Sequence, residues 1–172
     1  MNRRKAIVGI SLASFASAQT KQSAIREKFV GVWKLVGYES TDKATGEVRY
    51  PYSSNPVGRL TYDVAGRMSA QLMNPGRLTV GGSPTLGSAA SIRAASADDM
   101  RAILSGFIAY FGTFDIDEPA RTVIHHVQAC LIPSWVGTDL RRTYEFPDIN
   151  QLILIASSDR VNTRLVWRRE IG

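Results

Sequence analysis

Two adjacent histidines and the only cysteine of the chain lie in one apolar, strand-like run. The run is TVIHHVQACLIPSWVGT, residues 122–138, and it contains His125, His126 and Cys130. Histidine and cysteine are residue types that bind zinc and that serve as bases and nucleophiles in catalysis. Three roles are therefore open: a metal site, a catalytic pair, or side chains in the wall of a β-structure.

Strand geometry argues against the first two roles. Neighbouring side chains of a strand point to opposite faces, so His125 and His126 diverge. His126 and Cys130 share a face but lie four residues apart, roughly 13 Å at ~3.3 Å per residue. Zinc needs its ligand atoms at about 2.0–2.3 Å, and a Cys–His pair needs hydrogen-bond contact. We therefore expect no metal site and no cysteine nucleophile, and Cys130 is most simply a buried small hydrophobe.

The alternation also indicates which histidine faces a core. His125 shares its face with apolar residues, from Val123 and Val127 to Leu131, whereas the face of His126 is mixed. The inner face of a small barrel is usually apolar, which favours His125 inside. An inward histidine is either hydrogen-bonded to a neighbour in the wall, or a polar anchor or general acid/base in an apolar pocket.

Other signatures of catalysis are missing from the sequence. It contains no G-x-S-x-G, no phosphate-binding Walker loop and no G-x-G-x-x-G. The acidic residues Asp115, Asp117 and Glu118 fall in and around a turn before Pro119, where solvation explains them. We therefore expect no cofactor.

The elements that must position these residues are short strands. Strand-like segments fall at 31–40, 47–52, 57–63, 66–73, 107–116, 121–132, 140–146, 151–157 and 163–170, with turn residues between them. The crossover helices of a βαβ fold are missing. The pattern therefore predicts an all-β fold, an antiparallel sandwich or barrel.

Two further segments interrupt the strand pattern. A helix is predicted near 96–106, with Ser96 as N-cap and Asp99 at the capping-box position. Before it, the Gly/Ser-rich residues 74–95 predict a long loop, either a cover over a cavity mouth or an unstructured insertion. Residues 20–29 predict a short helical lead-in to the first strand.

Period-2 alternation along these strands selects candidates for a ligand pocket. The turn IPSWVGT contributes a tryptophan that could cap a barrel mouth, and an inward arginine would bind a carboxylate or an enolate. The strand at 107–116 is apolar on both faces, so we expect it to pack against something outside the barrel as well, the helix at 96–106 or a partner subunit. The predicted ligand-contacting residues are Tyr62, Met68, Leu72, Phe111, His125, Trp135, Arg142 and Tyr144.

The N-terminus has the pattern of an export signal. A basic MNRRK precedes an apolar stretch and the small-residue site ASA at 16–18, so cleavage is expected before Gln19. We expect a cleaved signal at 1–18, one domain at 19–172 and a periplasmic or secreted protein without a stable membrane anchor. Cleavage lowers the formal net charge from +6 to +3, and no basic run that would track nucleic acid survives. A homo-oligomer is compatible with the sequence.

The first strand also resembles a known signature. Gly31-x-Trp33 after a short helix is similar to the lipocalin G-x-W, in which a basic side chain from a late strand packs over the tryptophan. RLVWRRE offers Arg164, Arg168 and Arg169 for that cation–π contact. With YPYSSNPVGRLTYDVAGRMSAQLM, GFIAYFGTFDID and TVIHHVQACLIPSWVGTDLRRTYEF, the chain resembles the lipocalin-like domain family of bacteria and fungal biosynthetic clusters over about residues 28–170. The resemblance implies a lipocalin-type antiparallel β-barrel.

Three functions are compatible with such a barrel. The leading hypothesis is an exported bacterial protein that binds a small hydrophobic molecule without transforming it. The second is a cofactor-independent cyclase or isomerase of a polyketide- or terpenoid-like intermediate, with a His/Tyr/Arg cluster converging inside the barrel. The third is a filled barrel that serves as a structural or interaction domain and exposes an apolar patch instead of a cavity.

Overall fold

Nine antiparallel strands form one sheet in the computed structural model, which describes residues 24–77 and 96–171. The first and last strands pair with each other, so eight strands close a barrel and the two-residue strand β2 pairs with the far end of β1. The predicted antiparallel β-barrel is confirmed. The strands are β1 Gly31–Asp42, β2 Val48–Arg49, β3 Val57–Tyr62, β4 Arg67–Met73, β5 Phe107–Asp117, β6 Thr122–Cys130, β7 Asp139–Asp148, β8 Gln151–Ser157 and β9 Val161–Arg169.

Two short helices accompany the described part of the barrel. The first, α1, covers residues 24–29 and leads into β1. The second, α2, covers Ala97–Ser105, and its N-cap Ser96 and Asp99 form the predicted capping box. A single 3₁₀ turn, Pro133–Trp135, follows β6. Among the described residues, no helix is long and apolar enough to cross a membrane.

Two predictions fall wholly or mainly outside the described residues. The export signal at 1–18 is one, and residues 78–95 of the loop predicted at 74–95 are the other. The signal, its cleavage site and the single domain at 19–172 stay predictions.

The connections between strands divide between the two ends of the barrel. At one end lie the short turns 63–66, 118–121 and 149–150, together with α1. There Phe29 packs in edge contacts at 5.0–5.3 Å between ring centroids, against Tyr62, Tyr144 and Phe146. We call this the closed end. The opposite, open end contains the turn 158–160 and the longer segments 43–56, 74–77, 96–106 and 131–138.

One arginine ties the closed end together. The guanidinium of Arg169 lies 4.1 Å from the centroid of the Trp33 ring and donates hydrogen bonds to the carbonyl oxygens of Val30 and Lys28, each at 2.7 Å. It also donates to the carbonyl of Ile149 at 3.1 Å. Of the three arginines predicted for the cation–π contact, Arg169 is the one that makes it.

The same contact explains the glycine of the G-x-W motif. Gly31 has a φ of +137°, and a Cβ added there would lie 2.6 Å from Nη1 of Arg169. A side chain at this position would therefore be strained and would displace the guanidinium. The glycine, the tryptophan and the arginine form one structural unit.

A bulge in β6 changes which residues face inward. Phe111 pairs with Ala129, but Gly112 pairs with Val127, so Gln128 is an extra residue. The bulge brings the backbone so close that a Cβ at Gly112 would lie 1.9 Å from the carbonyl oxygen of His126.

The bulge therefore reverses the alternation after residue 128. Cys130 lies opposite the inward Tyr110 and is partly buried against the core, while Leu131 is 39% exposed. The prediction that Leu131 shares the face of His125 is wrong, because a simple period of two cannot register the extra residue.

We expect Arg169→Lys to lower the free energy of unfolding by about 1–3 kcal/mol, because lysine cannot donate to three carbonyl oxygens while covering Trp33. Urea denaturation monitored by tryptophan fluorescence measures the change. Arg168→Lys is the matched control, since Arg168 is exposed on the neighbouring position of the same strand. Equal stability of the two variants would contradict a structural role for the Arg169 contact.

Candidate functional site

A cavity of about 300 Å³ lies inside the barrel, and all eight barrel strands contribute to its wall. Most of the lining is aliphatic or aromatic, and no aspartate or glutamate is part of it. The lining residues are Tyr38, Leu60, Ala70, Leu72, Ile108, Tyr110, His125, Trp135, Arg142, Leu154, Ala156, Thr163, Leu165 and Trp167.

His125 is the buried polar residue of the cavity wall. It faces inward, as predicted, and only 1% of its surface is exposed. Its Nε2 lies 2.7 Å from the Tyr62 hydroxyl and its Nδ1 lies 3.0 Å from the Tyr110 hydroxyl. Burial, together with the nearby charge of Arg142, lowers the pKa of His125 to about 3. The imidazole is therefore neutral at neutral pH.

The available donors and acceptors determine where the protons of this Tyr–His–Tyr array lie. A neutral imidazole donates through one nitrogen and accepts through the other. Within the described residues, His125 is the one hydrogen-bond partner of the fully buried Tyr62 hydroxyl. If Tyr62 accepted, its own O–H would be buried without an acceptor, at a cost of about 1–3 kcal/mol.

Tyr62 therefore donates to Nε2 of His125, and Nδ1–H donates to the Tyr110 oxygen. This arrangement leaves the O–H of Tyr110 available to a ligand, because Tyr110 lines the cavity. Burial raises the pKa of Tyr110 to about 12 and that of Tyr62 well above its ordinary value, so both hydroxyls stay protonated.

Arg142 supplies the positive charge of the cavity wall. It lies on β7, and its Nη1 donates to the carbonyl oxygen of Arg141 at 2.9 Å. All aspartates and glutamates of the chain fall within the described residues, and none of them forms an ion pair with Arg142 within 4.0 Å there. Its charge lowers the pKa of Tyr38, of Tyr62 and of Tyr110, against the larger effect of burial. The charge therefore acts across the whole cavity.

The structure brings four of the eight predicted site residues into the cavity wall: Leu72, His125, Trp135 and Arg142. Tyr62 and Met68 lie in the adjoining core, where Tyr62 reaches the cavity through its hydrogen bond to His125. Contact of any of them with a ligand stays a prediction.

Two of the predicted site residues lie elsewhere. Phe111 is 53% exposed on the outer face, because the inward residues of β5 are its even-numbered neighbours. Tyr144 does face inward, like Arg142, but two residues nearer the closed end, where its ring packs against Phe29 at 5.0 Å. Phe29 of α1 fills the space that a ligand would need there.

Sequence reasoning missed four polar residues of the cavity. Tyr38, Tyr110 and Thr163 line it, and Tyr110 is the immediate neighbour of Phe111. Trp167 also lines it, and its buried Nε1–H has no hydrogen-bond partner in the part of the chain that the structure describes. The pairing of Phe114 with His125 sets the inward face of β5, and no local pattern in that strand reveals it.

His126 has the opposite environment. Its ring nitrogens lie 2.6 Å from Asp139 Oδ1 and 3.2 Å from Asp115 Oδ2 on the outer surface. The hydrogen bond to Asp139 is the main cause that raises the pKa of His126. Desolvation opposes it, and the hydrogen bond to Asp115 and the charges of both aspartates raise the pKa further. Across residues 24–77 and 96–171, no group of three or more potential ligands is arranged to hold a metal ion.

Comparison with known proteins identifies a family. The model of a family described as "lipocalin-like domain" matches residues 30–170. No curated protein matches this chain. Among solved structures, a redesigned β-barrel is similar at 11% identity and a TM-score of 0.41, covering 85% of this chain and 95% of that one. A de novo designed fluorescence-activating β-barrel gives 11% and 0.39, covering 84% and 96%.

The buried histidine makes the stability of the fold depend on pH. An unfolded histidine takes up a proton near pH 6.5, whereas His125 in the folded chain stays neutral down to about pH 3. Between these values the unfolded chain binds the additional proton, so the free energy of unfolding falls as the pH is lowered. We expect His125 to contribute about 1–1.5 kcal/mol per pH unit between pH 6 and pH 5.

Urea denaturation at pH 7, 6 and 5 measures this slope, and the slope should decrease in His125→Gln, which does not titrate. His126→Gln is the matched control with the opposite sign. The raised pKa of His126 stabilises the fold below pH 6.5, and this contribution is lost as the pH rises through that raised pKa. Its removal should therefore make the acid-side loss steeper. An unchanged slope in His125→Gln would contradict a neutral His125.

Proposed function

The chain belongs to the lipocalin-like domain family, and from that premise we propose that its barrel binds a small, mostly apolar molecule in the cavity around His125. The observation that carries the proposal is the cavity itself, about 300 Å³ with a largely apolar wall and a few converging polar groups. Apolar walls with few, well-placed polar groups are typical of small-molecule sites.

The packing at the two ends of the barrel supports a site with one entrance. At the closed end, the Phe146 ring contacts the rings of both Phe29 and Trp33, and Trp33 Nε1 donates to the carbonyl of Phe29 at 2.8 Å. At the open end, Trp135 and Thr163 line the cavity close to the longer connections. A ligand would therefore enter between these connections.

The barrel wall supports binding because it exists before a ligand arrives. Each strand pairs with two neighbours, and the β1–β9 pairing runs from Trp33↔Arg169 to Asp42↔Val161. A preformed cavity needs little ordering when a ligand binds, so more of the contact energy remains as affinity. Its volume is at the lower end of the roughly 300–1,000 Å³ of typical ligand sites, which favours a small ligand.

A cofactor-independent isomerase or cyclase is the second candidate. It is favoured by the Tyr62–His125–Tyr110 array, because an imidazole between two hydroxyls can pass a proton to a bound molecule. Incubation of the molecule recovered from the protein with His125→Gln and with the unchanged protein would distinguish the candidates. An isomeric product formed only by the unchanged protein would establish turnover. The cavity argues against the third hypothesis, a filled barrel.

We also propose that the protein is exported from a bacterial cytoplasm as residues 19–172. The support is the basic start, the apolar stretch and the ASA site within residues 1–18. Intact mass measurement of the protein from the periplasm or the medium would show a chain that begins at Gln19. An intact leader or a cytoplasmic protein would overturn this proposal.

The neutral dye N-phenyl-1-naphthylamine tests the cavity directly. We expect organic-extracted protein to bind the dye with increased fluorescence, and Ala156→Trp to weaken binding by about tenfold or more, because the indole would fill the cavity. Ala109→Trp is the matched control, since Ala109 lies between the inward Ile108 and Tyr110 and does not line the cavity. Equal binding by both variants would place the dye outside the barrel.

Native mass spectrometry of the unextracted protein complements the dye. We expect an additional mass that organic extraction removes and that Ala156→Trp does not carry. A bare protein that also fails to bind the dye would overturn the proposed function.

A further inference from the structure

Most polar side chains of the described cavity wall can donate hydrogen bonds, and the hydroxyls of Tyr38 and Thr163 can also accept them. The Tyr110 O–H is left over from the Tyr62–His125–Tyr110 array, and Arg142 contributes guanidinium N–H groups. The lining contains no carboxylate that could accept from them. A ligand that satisfies this wall must therefore supply acceptors.

Of these donors, the N–H groups of Arg142 have the greatest need of an acceptor. Its one hydrogen bond to a described residue runs from Nη1 to the carbonyl of Arg141, so most of its N–H groups have no described partner. A partly buried cation without a counter-charge is costly, and an arginine fork binds a carboxylate through two parallel hydrogen bonds. The position of Arg142 in an otherwise apolar wall therefore favours an anionic oxygen group.

His125 does not compete for that group. It is neutral, both of its ring nitrogens are engaged by tyrosine hydroxyls, and it therefore adds neither positive charge nor a free donor. The array leaves one O–H, that of Tyr110, available in the cavity. Tyr110 and Arg142 are then two donors of the cavity wall from which a ligand oxygen can accept.

A third donor lies deeper in the barrel. The buried Nε1–H of Trp167 has no partner in the described part of the chain, although Trp167 lines the cavity. Trp167 pairs with Leu35 between β9 and β1, two residues along each strand from the Trp33–Arg169 pair of the closed end. The shortage of acceptors therefore extends from the level of Arg142 to the floor of the cavity.

We infer that the ligand of the barrel is an amphiphile with an anionic oxygen group, a carboxylate or an enolate, which Arg142 and the Tyr110 hydroxyl bind. This inference rests on the proposed function and adds the chemical class of the ligand to it. The apolar part of the ligand lies against the aliphatic wall formed by residues such as Leu60, Leu154 and Leu165.

Decanoate and decan-1-ol test the inference at pH 8, where decanoate is ionised and the two molecules share the same flexible chain. Each is titrated against the extracted protein loaded with N-phenyl-1-naphthylamine. We expect decanoate to displace the dye at a concentration about tenfold lower than decan-1-ol does. In Arg142→Gln this preference should fall below about threefold, because decanoate loses more affinity than decan-1-ol does.

Two variants serve as controls and as refinements. Arg141→Gln removes the neighbouring arginine, which is exposed on the outer face, and should keep the full preference for decanoate. Tyr110→Phe should weaken decanoate about three- to tenfold and decan-1-ol by less, because a carboxylate accepts a stronger hydrogen bond than an alcohol does. Circular dichroism of each variant verifies that the barrel is folded.

The outcomes separate the two proposals. Equal displacement by decanoate and decan-1-ol, or displacement by neither, while the dye binds inside the barrel would overturn the anionic ligand and leave the apolar binding site standing. A preference for decanoate that survives in Arg142→Gln would overturn the assignment to Arg142. Failure of the dye itself to bind would overturn the proposed function, and the anionic ligand with it.

Discussion

The barrel depends on the contact between Arg169 and the start of the chain's first strand. The guanidinium covers the Trp33 ring at 4.1 Å and donates hydrogen bonds to three backbone carbonyl oxygens, those of Lys28, Val30 and Ile149. It therefore joins the last strand, the end of α1 and the β7–β8 turn at one point. Because β1 and β9 pair beside this point, the contact both closes the sheet and seals the end that α1 covers. A barrel sealed at one end can leave its other half unfilled, since the backbone ladder of all eight strands keeps the wall in place.

The buried donors of the closed end and those of the cavity differ in whether they have acceptors. Trp33 and Arg169 at the closed end have their donors matched by described carbonyl oxygens. Above them the balance changes, because Tyr110, Arg142 and Trp167 bring donors that described acceptors leave unmatched. A structural core would lose stability through such groups, whereas a binding site gains selectivity from them, since only a ligand with the matching acceptors recovers the cost. The same argument explains why the mismatch is confined to the half of the barrel that is hollow.

Much of this architecture could be predicted from the sequence, because it depends on local signals. Turn residues marked nearly every strand, Ser96 and Asp99 marked α2, and G-x-W with a late arginine marked the closed end. The site was predicted less well because it depends on pairing between distant strands. Phe111 and Tyr110 are equally compatible with an inner face until the pairing of Phe114 with His125 fixes the choice. The extra residue at Gln128 reversed the alternation of β6. Tyr144 faces inward but does not line the cavity, because Phe29 from α1 occupies that end of the barrel.

The ionisation of the cavity groups bears on both proposed functions. A general acid or base works best when its pKa is near the working pH. His125, with a pKa of about 3, is a weak base, and Tyr110, with a pKa of about 12, holds its proton firmly. No carboxylate lines the cavity to raise the pKa of the histidine. These groups are suited to fixed hydrogen bonds of constant direction across the neutral pH range. Arg142 is the one charged residue among the described lining residues, and a charge that does not change with pH fits the anionic ligand inferred above.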